Sequence, residues 1–312
     1  MAKYLYAGIV ILILILIYLY EYNFLNCKQL GEFFTQTQTK TPTICIVWND
    51  KFNSQGLGDK LRGMIAIYQY CQTNNIPCIF DARFSTFGKF LINASPLNHH
   101  TQITESTPVA QLLNVYDNPN ALGNFIRKQI DLAIVSNKDY VCVETNLFPQ
   151  IPLSLSDMDF LEQMTKTNPE LEQKIKSIIQ FLPTDFTIQH FRFKDKTDPS
   201  DTQCAKCFKL LVSSYQPTDI LMSNSSKFKN WVKSKLPQIY MIESGFDFTQ
   251  PTQTNIHVGL NPSDNIIEFT LVEYSIIKKA SSIRTYSEYE WISAFVYWPG
   301  KFYSIPIRNT QI

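Results

Sequence analysis

What this chain lacks first is an excess of charge of either sign. Its 28 Lys and Arg nearly balance 27 Asp and Glu, charged residues make up 18%, and the formal net charge is +1. No broad basic field is available to draw a phosphate backbone, so no nucleic-acid partner is expected. The Lys-bearing stretch "SKFKNWVKSKLP" reads more simply as a solvated helix face. Metal-ligand spacing is lacking as well. There are 4 histidines, and the C-x-x-C at Cys204-Ala205-Lys206-Cys207 is followed by neither a second pair nor spaced histidines. No metal site is therefore expected, which leaves a local disulfide or two free thiols. Seven cysteines is an odd number; Cys45 and Cys78 fall in strand-like runs and Cys71 on a helix face, where buried thiols are the expectation.

Long hydrophobic runs are scarce too, with one exception. "YLYAGIVILILILIYLY", Tyr4 to Tyr20, holds no charge. At about 1.5 Å per residue a helix over it spans roughly 25 Å, enough for a thin bilayer. Tyrosines stand at both ends, where interfacial aromatics belong. A small-x-small cleavage site is missing from the following "EYNFLNC", which argues against a cleaved signal peptide. The expectation is a tail over 1–3, a membrane anchor over 4–20 and a stem over 21–42. Within the stem, "EFFTQTQTKTPT" has too little apolar surface to pack a core. The expected localisation is a single-pass type II membrane protein with a lumenal globular part. The triplets Asn93-Ala94-Ser95 and Asn224-Ser225-Ser226 are compatible with that location.

The rest of the 312 residues is long enough for two domains. "TICIVW" reads as a strand, the apolar spacing of Leu61, Met64, Ile65, Tyr68 and Cys71 as a helix, and "IPCIFD" as a second strand. Strand, glycine loop, helix and strand make a βαβ unit, hence a parallel sheet with the loop at its carboxyl edge. Residues 82–150 carry no clear pattern. A helix is expected from Ser156, capped by Ser156 with Asp159, and another from about Asn168 to Phe181. Beyond a boundary at Leu182 the alternation resumes. Strands are expected at "FTIQHFRF", "DILMSN", "IYMIES" and "KFYSIP", helices at "SKFKNWVKSKL" and at Asn265 to Lys279, and in "SSIRTYSEYEWISAFVYW" a short strand turning into a helix near Ser287. The fold class expected is α/β, with domains over 43–182 and 183–312 facing a cleft.

Three stretches place anion-suited groups at predicted strand ends. Gly56-Leu57-Gly58-Asp59 opens a helix, where free N–H groups and the dipole favour an anion. In His190-Phe191-Arg192-Phe193-Lys194-Asp195 a guanidinium ends a buried strand, suited either to a diphosphate or to an ion pair with Asp195. Thr285-Tyr286-Ser287 supplies hydroxyls at the mouth of the last major helix, as caps or as phosphate ligands.

With these residues in view, "GLGDKLRGMIAIYQYCQTNNIPCIFD", "HFRFKDK", "ILMSNSSKFKNWVKSKLP" and "EYSIIKKASSIRTYSEYEWISAFVYW" resemble, in order, the motifs of the fucosyltransferase superfamily that includes α1,2-, α1,6-, nodulation and protein O-fucosyltransferases. The resemblance covers most of 45–81 and 186–306. It implies a GT-B fold of two Rossmann-like domains, GDP-fucose as donor, a glycan or protein hydroxyl as acceptor, inversion, and no cofactor or metal. Carried over by position, Arg192 would hold the diphosphate with support from His190, and Gly56, Gly58 and Asp59 would face the cleft. Asn224 would lie near the nucleotide, Glu273 would accept from guanine, and Thr285 and Ser287 would meet the phosphates. Asp195, Asp59, Asp198 and Asp201 are the candidate bases. Phe193 replaces a second Arg of the α1,6 branch, which disfavours that linkage. Lys194, Glu288, Glu290 and Glu273 also depart from the pattern. The alternative is a non-catalytic protein that keeps the same shell.

Overall fold

A computed structural model describes residues 41–50, 56–95, 103–115, 118, 120–194, 198–242 and 264–312. The expected tail, anchor and nearly all of the stem lie outside the described residues, as does Asp195. Among the described residues no helix is long and apolar enough to cross a membrane.

Residues Pro42–Ile312 form one compact unit built on two sheets. The first holds β1 (Thr43–Asn49), β2 (Cys78–Phe84), β3 (Val109–Leu112) and β4 (Tyr140–Thr145), in the order β2-β1-β4-β3. All its pairings are parallel. Helix α1 (Leu57–Thr73) joins β1 to β2, and α2 (Ala121–Val135) joins β3 to β4. The second sheet holds β5 (Thr187–Arg192), β6 (Ile220–Ser223), β7 (Tyr240–Met241), β8 (Ser282–Ser287) and β9 (Ile307–Gln311), in the order β7-β6-β5-β8-β9. It too is parallel throughout. Its crossovers contain α5 (Asp201–Ser214), α6 (Ser226–Lys235), α7 (Asp264–Ile277) and α8 (Ala294–Phe302). In chain order α3 (Leu155–Met164) and α4 (Pro169–Ile179) come between the strands of the first sheet and those of the second.

Parallel strands covered on both faces need continuous apolar runs. The strand β1 meets that need, with Ile44 to Trp48 all buried, and so does β6, buried along its length. Strand order reverses between β1 and β4 and again between β5 and β8. At such switch points the crossovers diverge and leave a crevice beyond the carboxyl ends. Arg192 and Ser287 are the paired last residues of β5 and β8, and thus stand at one of these crevices.

Several boundaries differ from the expectations. Residues 82–150 hold the end of β2, a 3₁₀ turn (Thr86–Phe90), β3, α2 and β4. Both β3 and α2 are largely amphipathic surface elements, which leaves little apolar periodicity to read. Helix α3 begins two residues early because Ser154, not Ser156, forms a reciprocal capping box with Asp157. The last major helix does not open near Ser287. That residue ends β8, and α8 starts at Ala294 after Ser293. "KFYSIP" is the end of α8 and a turn with Ser304 at φ 55°, and the closing strand is β9.

The last helix folds back onto the first. A Cβ placed on Gly58 would stand 2.3 Å from the carbonyl oxygen of Ala294, and one on Gly63 would stand 1.6 Å from that of Thr145. Helix α1 is thus wedged between β4 and α8 at contact distances only glycine permits. Around Gly56 nothing lies within 4 Å of the same construction. We expect Gly63→Ala to cost at least the roughly 1–3 kcal/mol of an overpacked core, and Gly56→Ala, which meets no neighbour, to cost only the few tenths to about 1 kcal/mol of a poorer helix cap. Chemical denaturation of the two variants side by side measures this, and equal midpoints would refute the wedge.

Candidate active site

A cavity of about 1120 Å³ opens between the carboxyl edges of the two sheets. Two helix N-termini face it, Gly56–Gly58 at the start of α1 and Ser293–Ala294 at the start of α8. In α1 the amides of Asp59 and Lys60 both donate to Gly56 O, leaving those of Leu57 and Gly58 without an intrahelical acceptor. Two converging positive dipole ends favour an anion. Gly56 caps α1 with no side chain, so the backbone there is open to a ligand.

Arg192 lines this cavity at the end of β5, with its guanidinium carbon 5.9 Å from the centre of the Tyr289 ring. His190, two residues earlier, also lines it. Its Nδ1 lies 3.1 Å from the buried Thr285 Oγ1. Burial, then the charges of Arg192 and Lys229, press its pKa down to about 3, so the ring is neutral. Asp59 lines the opposite wall and pairs with Arg62 at 2.6 Å. Burial raises the Asp59 pKa, against the opposing pull of Arg62 and Arg192. Asp59 and Arg192 therefore feel each other across the gap.

Other expected residues fall elsewhere or act differently. Asn224 lines the cavity, but its amide is committed to the backbone. Its Oδ1 accepts from Phe193 N at 2.9 Å and its Nδ2 donates to Phe193 O at 3.0 Å, tying β6 to β5. Thr285 and Ser287 are fully buried in β8 and do not line the cavity. The Ser287 hydroxyl accepts from Tyr289 N and donates to Trp291 O, pinning the turn that presents those two rings. The helix mouth at the cavity is Ser293, not Thr285 to Ser287. Asp198 accepts from Ser225 Oγ at 3.5 Å and Asp201 pairs with Lys227 at 2.9 Å; neither lines the cavity. Of the four acids proposed as bases, Asp59 is the described one that does.

Glu273 lines the cavity from α7 and carries a partner that the sequence reading placed in solvent. Lys229 is buried, not on a solvated face. Its ammonium lies 3.4 Å from Glu273 Oε1 and 4.5 Å from the centre of the Phe269 ring. Burial pushes Lys229 down and Glu273 up, each opposed by the other's charge. Lys60 forms a similar cluster under the α1 mouth, 3.2 Å from Asp50 Oδ1 and 3.4 Å from Glu144 Oε1. Gln111 donates to the other Glu144 oxygen, and Thr86 donates twice to Asp50. Both lysines were legible only as charges interrupting an apolar stripe: Lys60 lies between Leu57 and Leu61, Lys229 between Phe228 and Val232. Cys204 and Cys207 are buried free thiols in the second core. Among the described residues no three His, Cys, Asp or Glu side chains cluster as a metal requires.

No family model matches the chain, and no curated protein matches it. Solved structures do. NodZ alpha-1,6-fucosyltransferase co-crystallized with GDP aligns over 84% of this chain and 92% of its own, at 12% identity and a TM-score of 0.49. A mutant of Arabidopsis thaliana FUT1 in complex with GDP aligns over 90% of this chain and 74% of its own, at 11% identity and TM-score 0.45. POFUT1 in complex with GDP aligns over 87% and 98%, at 9% identity and TM-score 0.41.

Two stability measurements follow from these charges. His190 titrates near 6.5 in the unfolded chain and near 3 in the folded one, so between those values the unfolded chain binds more protons. Stability should therefore fall as pH drops through this window, by about 2 kcal/mol between pH 7 and 5 from this group alone. His190→Gln should flatten that part of the profile, and an unchanged slope would refute a buried neutral ring. Lys229→Met strands Glu273 and should cost roughly 3–5 kcal/mol, whereas Lys229→Met with Glu273→Leu should recover most of it. Denaturant titration of the three proteins decides this.

Proposed function

We propose that this protein is a membrane-anchored glycosyltransferase that transfers fucose from GDP-fucose to an acceptor hydroxyl, with inversion and without a metal. The observation that carries this reading is the position of Arg192. It ends the central strand of the second sheet, at a switch point, and faces a cavity that receives two helix N-termini. The choice of donor follows from the motif resemblance, as do the GT-B arrangement of domains 43–182 and 183–312 and the type II, lumenal placement through residues 4–20.

In this reading Arg192 and the amides of Leu57 and Gly58 bind the diphosphate and take up the charge that grows on it as it leaves. His190 stays neutral behind Arg192 and holds its place through Thr285. Glu273, held in place by Lys229, receives the donor edge of guanine. The acceptor oxygen attacks the anomeric carbon on the face opposite the diphosphate. The bond to the phosphate oxygen breaks, GDP departs with the electron pair, and Asp59 takes the acceptor proton.

Arg192→Ala should abolish GDP binding measured by calorimetry, and unchanged affinity would remove Arg192 from the donor site. Asp59→Asn should bind GDP at least as tightly as the parent, since it removes a negative charge near the phosphates. Its transfer rate should drop roughly 10²–10⁴-fold, as loss of a general base does. Parent protein that binds GDP yet consumes no GDP-fucose with any acceptor would instead support the non-catalytic alternative.

A further inference from the structure

The cavity, about 1120 Å³, stands at the upper end of the roughly 300–1,000 Å³ that single small molecules occupy. Donor groups account for its second-sheet end and for the glycine mouth. The remaining lining has a different chemistry. Four aromatic side chains are exposed among the described residues, Phe148, Phe181, Tyr240 and Trp291, and two of them line this cavity. Trp291 is 63% exposed and Phe148 54%, although each is held by a neighbouring ring. Trp291 stacks on Tyr289 with centroids 4.8 Å apart and planes 22° apart. Phe148 packs on Trp298 at 5.4 Å, and the Arg62 guanidinium lies 5.0 Å from its centre.

Neither ring is held there by its own burial. Phe148 follows the end of β4, and Trp291 follows the end of β8, in the turn that Ser287 pins. Each sheet thus delivers one fixed, partly exposed ring to the same cavity. Polar groups share the wall: Glu290, Arg62, which also pairs with Asp59, and Asn114 and Asn146, whose mutual hydrogen bonds fix their orientation. A flat aromatic face bordered by guanidinium, amide and carboxylate edges matches a pyranose, whose axial C–H groups pack on a ring while its equatorial hydroxyls bond outward. An apolar peptide side chain would call for a concave apolar pocket instead.

We propose that Phe148 and Trp291 form a saccharide subsite, and that the acceptor is therefore a glycan rather than a protein hydroxyl. The role as acceptor rests on the nucleotide-sugar reading of the Arg192 end; the binding of saccharide does not. Tyr289 lies within reach of the Arg192 guanidinium, 5.9 Å from its ring centre, and stacks on Trp291 at 4.8 Å, so the Trp291 ring belongs to the same cavity wall as the diphosphate site, one ring further along it.

The test is retention of the full chain, with GDP present, on an array of defined oligosaccharides and on a parallel array of Ser- and Thr-containing peptides. Selective retention on oligosaccharides is expected. The retained oligosaccharide in solution should change the fluorescence of the exposed Trp291. Trp291→Ala and Phe148→Ala should each weaken retention roughly tenfold, the factor that about 1.4 kcal/mol of lost contact produces, and Trp291→Phe should restore most of it. Retention on peptides only, on neither array, or on oligosaccharides with no loss in either alanine variant overturns the proposal. If GDP binds the parent in any of these cases, the donor reading stands and only the saccharide subsite falls. If oligosaccharide is retained but GDP does not bind, the donor reading falls and the subsite stands.

Discussion

The contact on which the cavity depends is the approach of two helix N-termini at Gly58 and Ala294. Helix α1 belongs to the first βαβ unit and α8 to the last, yet backbone meets backbone there with no room for a side chain. That approach sets the glycine mouth beside the segment from Tyr289 to Trp298 and points two positive dipole ends into one space. Side chains at a glycine-free contact would hold the helices apart by at least their own thickness. The mouth would then stand away from the rings and from Ser293, and neither sheet's crevice would be closed by the other. Both glycines line the cavity, but for different reasons: Gly56 leaves the backbone open, and Gly58 also admits the carbonyl of Ala294 where any side chain would clash.

Near-neutral composition conceals how the interior uses charge. Lys60 and Lys229 are buried, each against a carboxylate that is itself nearly enclosed. Such pairs contribute little net stability, because desolvating both ions offsets their attraction, but breaking one is costly. Their value here is positional. Lys60 fastens the first turn of α1 to the ends of β1 and β4 through Asp50 and Glu144. Lys229 fastens α6 to α7 and fixes the position of Glu273 at the cavity wall. In both places a charge that would otherwise adjust freely to a ligand is committed to one geometry.

The regular βαβ units were legible because their strands are apolar runs and their helices keep a 3.6-residue spacing: β1, α1, β5, β6, α6, α7 and β8 stand close to where the patterns put them. What failed did so for local reasons. Elements β3 and α2 lie at the sheet edge and bury too little to leave a pattern. Ser154 outcompeted Ser156 as a cap through Asp157, a choice of register two residues wide. The turn from Glu288 to Ile292 looked helical because α8 follows it, but Ser287 captures two backbone groups of that turn and delays the helix. Of the site, Arg192, His190, Gly56, Gly58 and Asp59 could be named from their places at strand ends and helix mouths. Asp198 and Asp201 could not be separated from Asp59 in that way, since sequence distance from Arg192 does not report which wall a side chain faces. Phe148, Trp291 and the partner of Glu273 come from segments distant in sequence, and only the packed chain brings them together.

The electrostatics of the cavity give the proposed reaction an order. In the empty protein, burial raises the Asp59 pKa while Arg62 and Arg192 pull it down. A diphosphate seated on Arg192 would bring negative charge that cancels much of that cation's influence. Asp59 would then hold a proton more strongly, and so be a better base, once the donor is in place. His190 cannot spoil this coupling by adding a positive charge of its own, because its burial beside Arg192 and Lys229 keeps it neutral throughout the physiological range. The same arrangement would penalise deprotonating the acceptor before the donor arrives, when Asp59 would be the weaker base. In the proposed reaction two charges on facing walls would thereby link occupancy of one sheet's crevice to reactivity at the other without any movement of the fold.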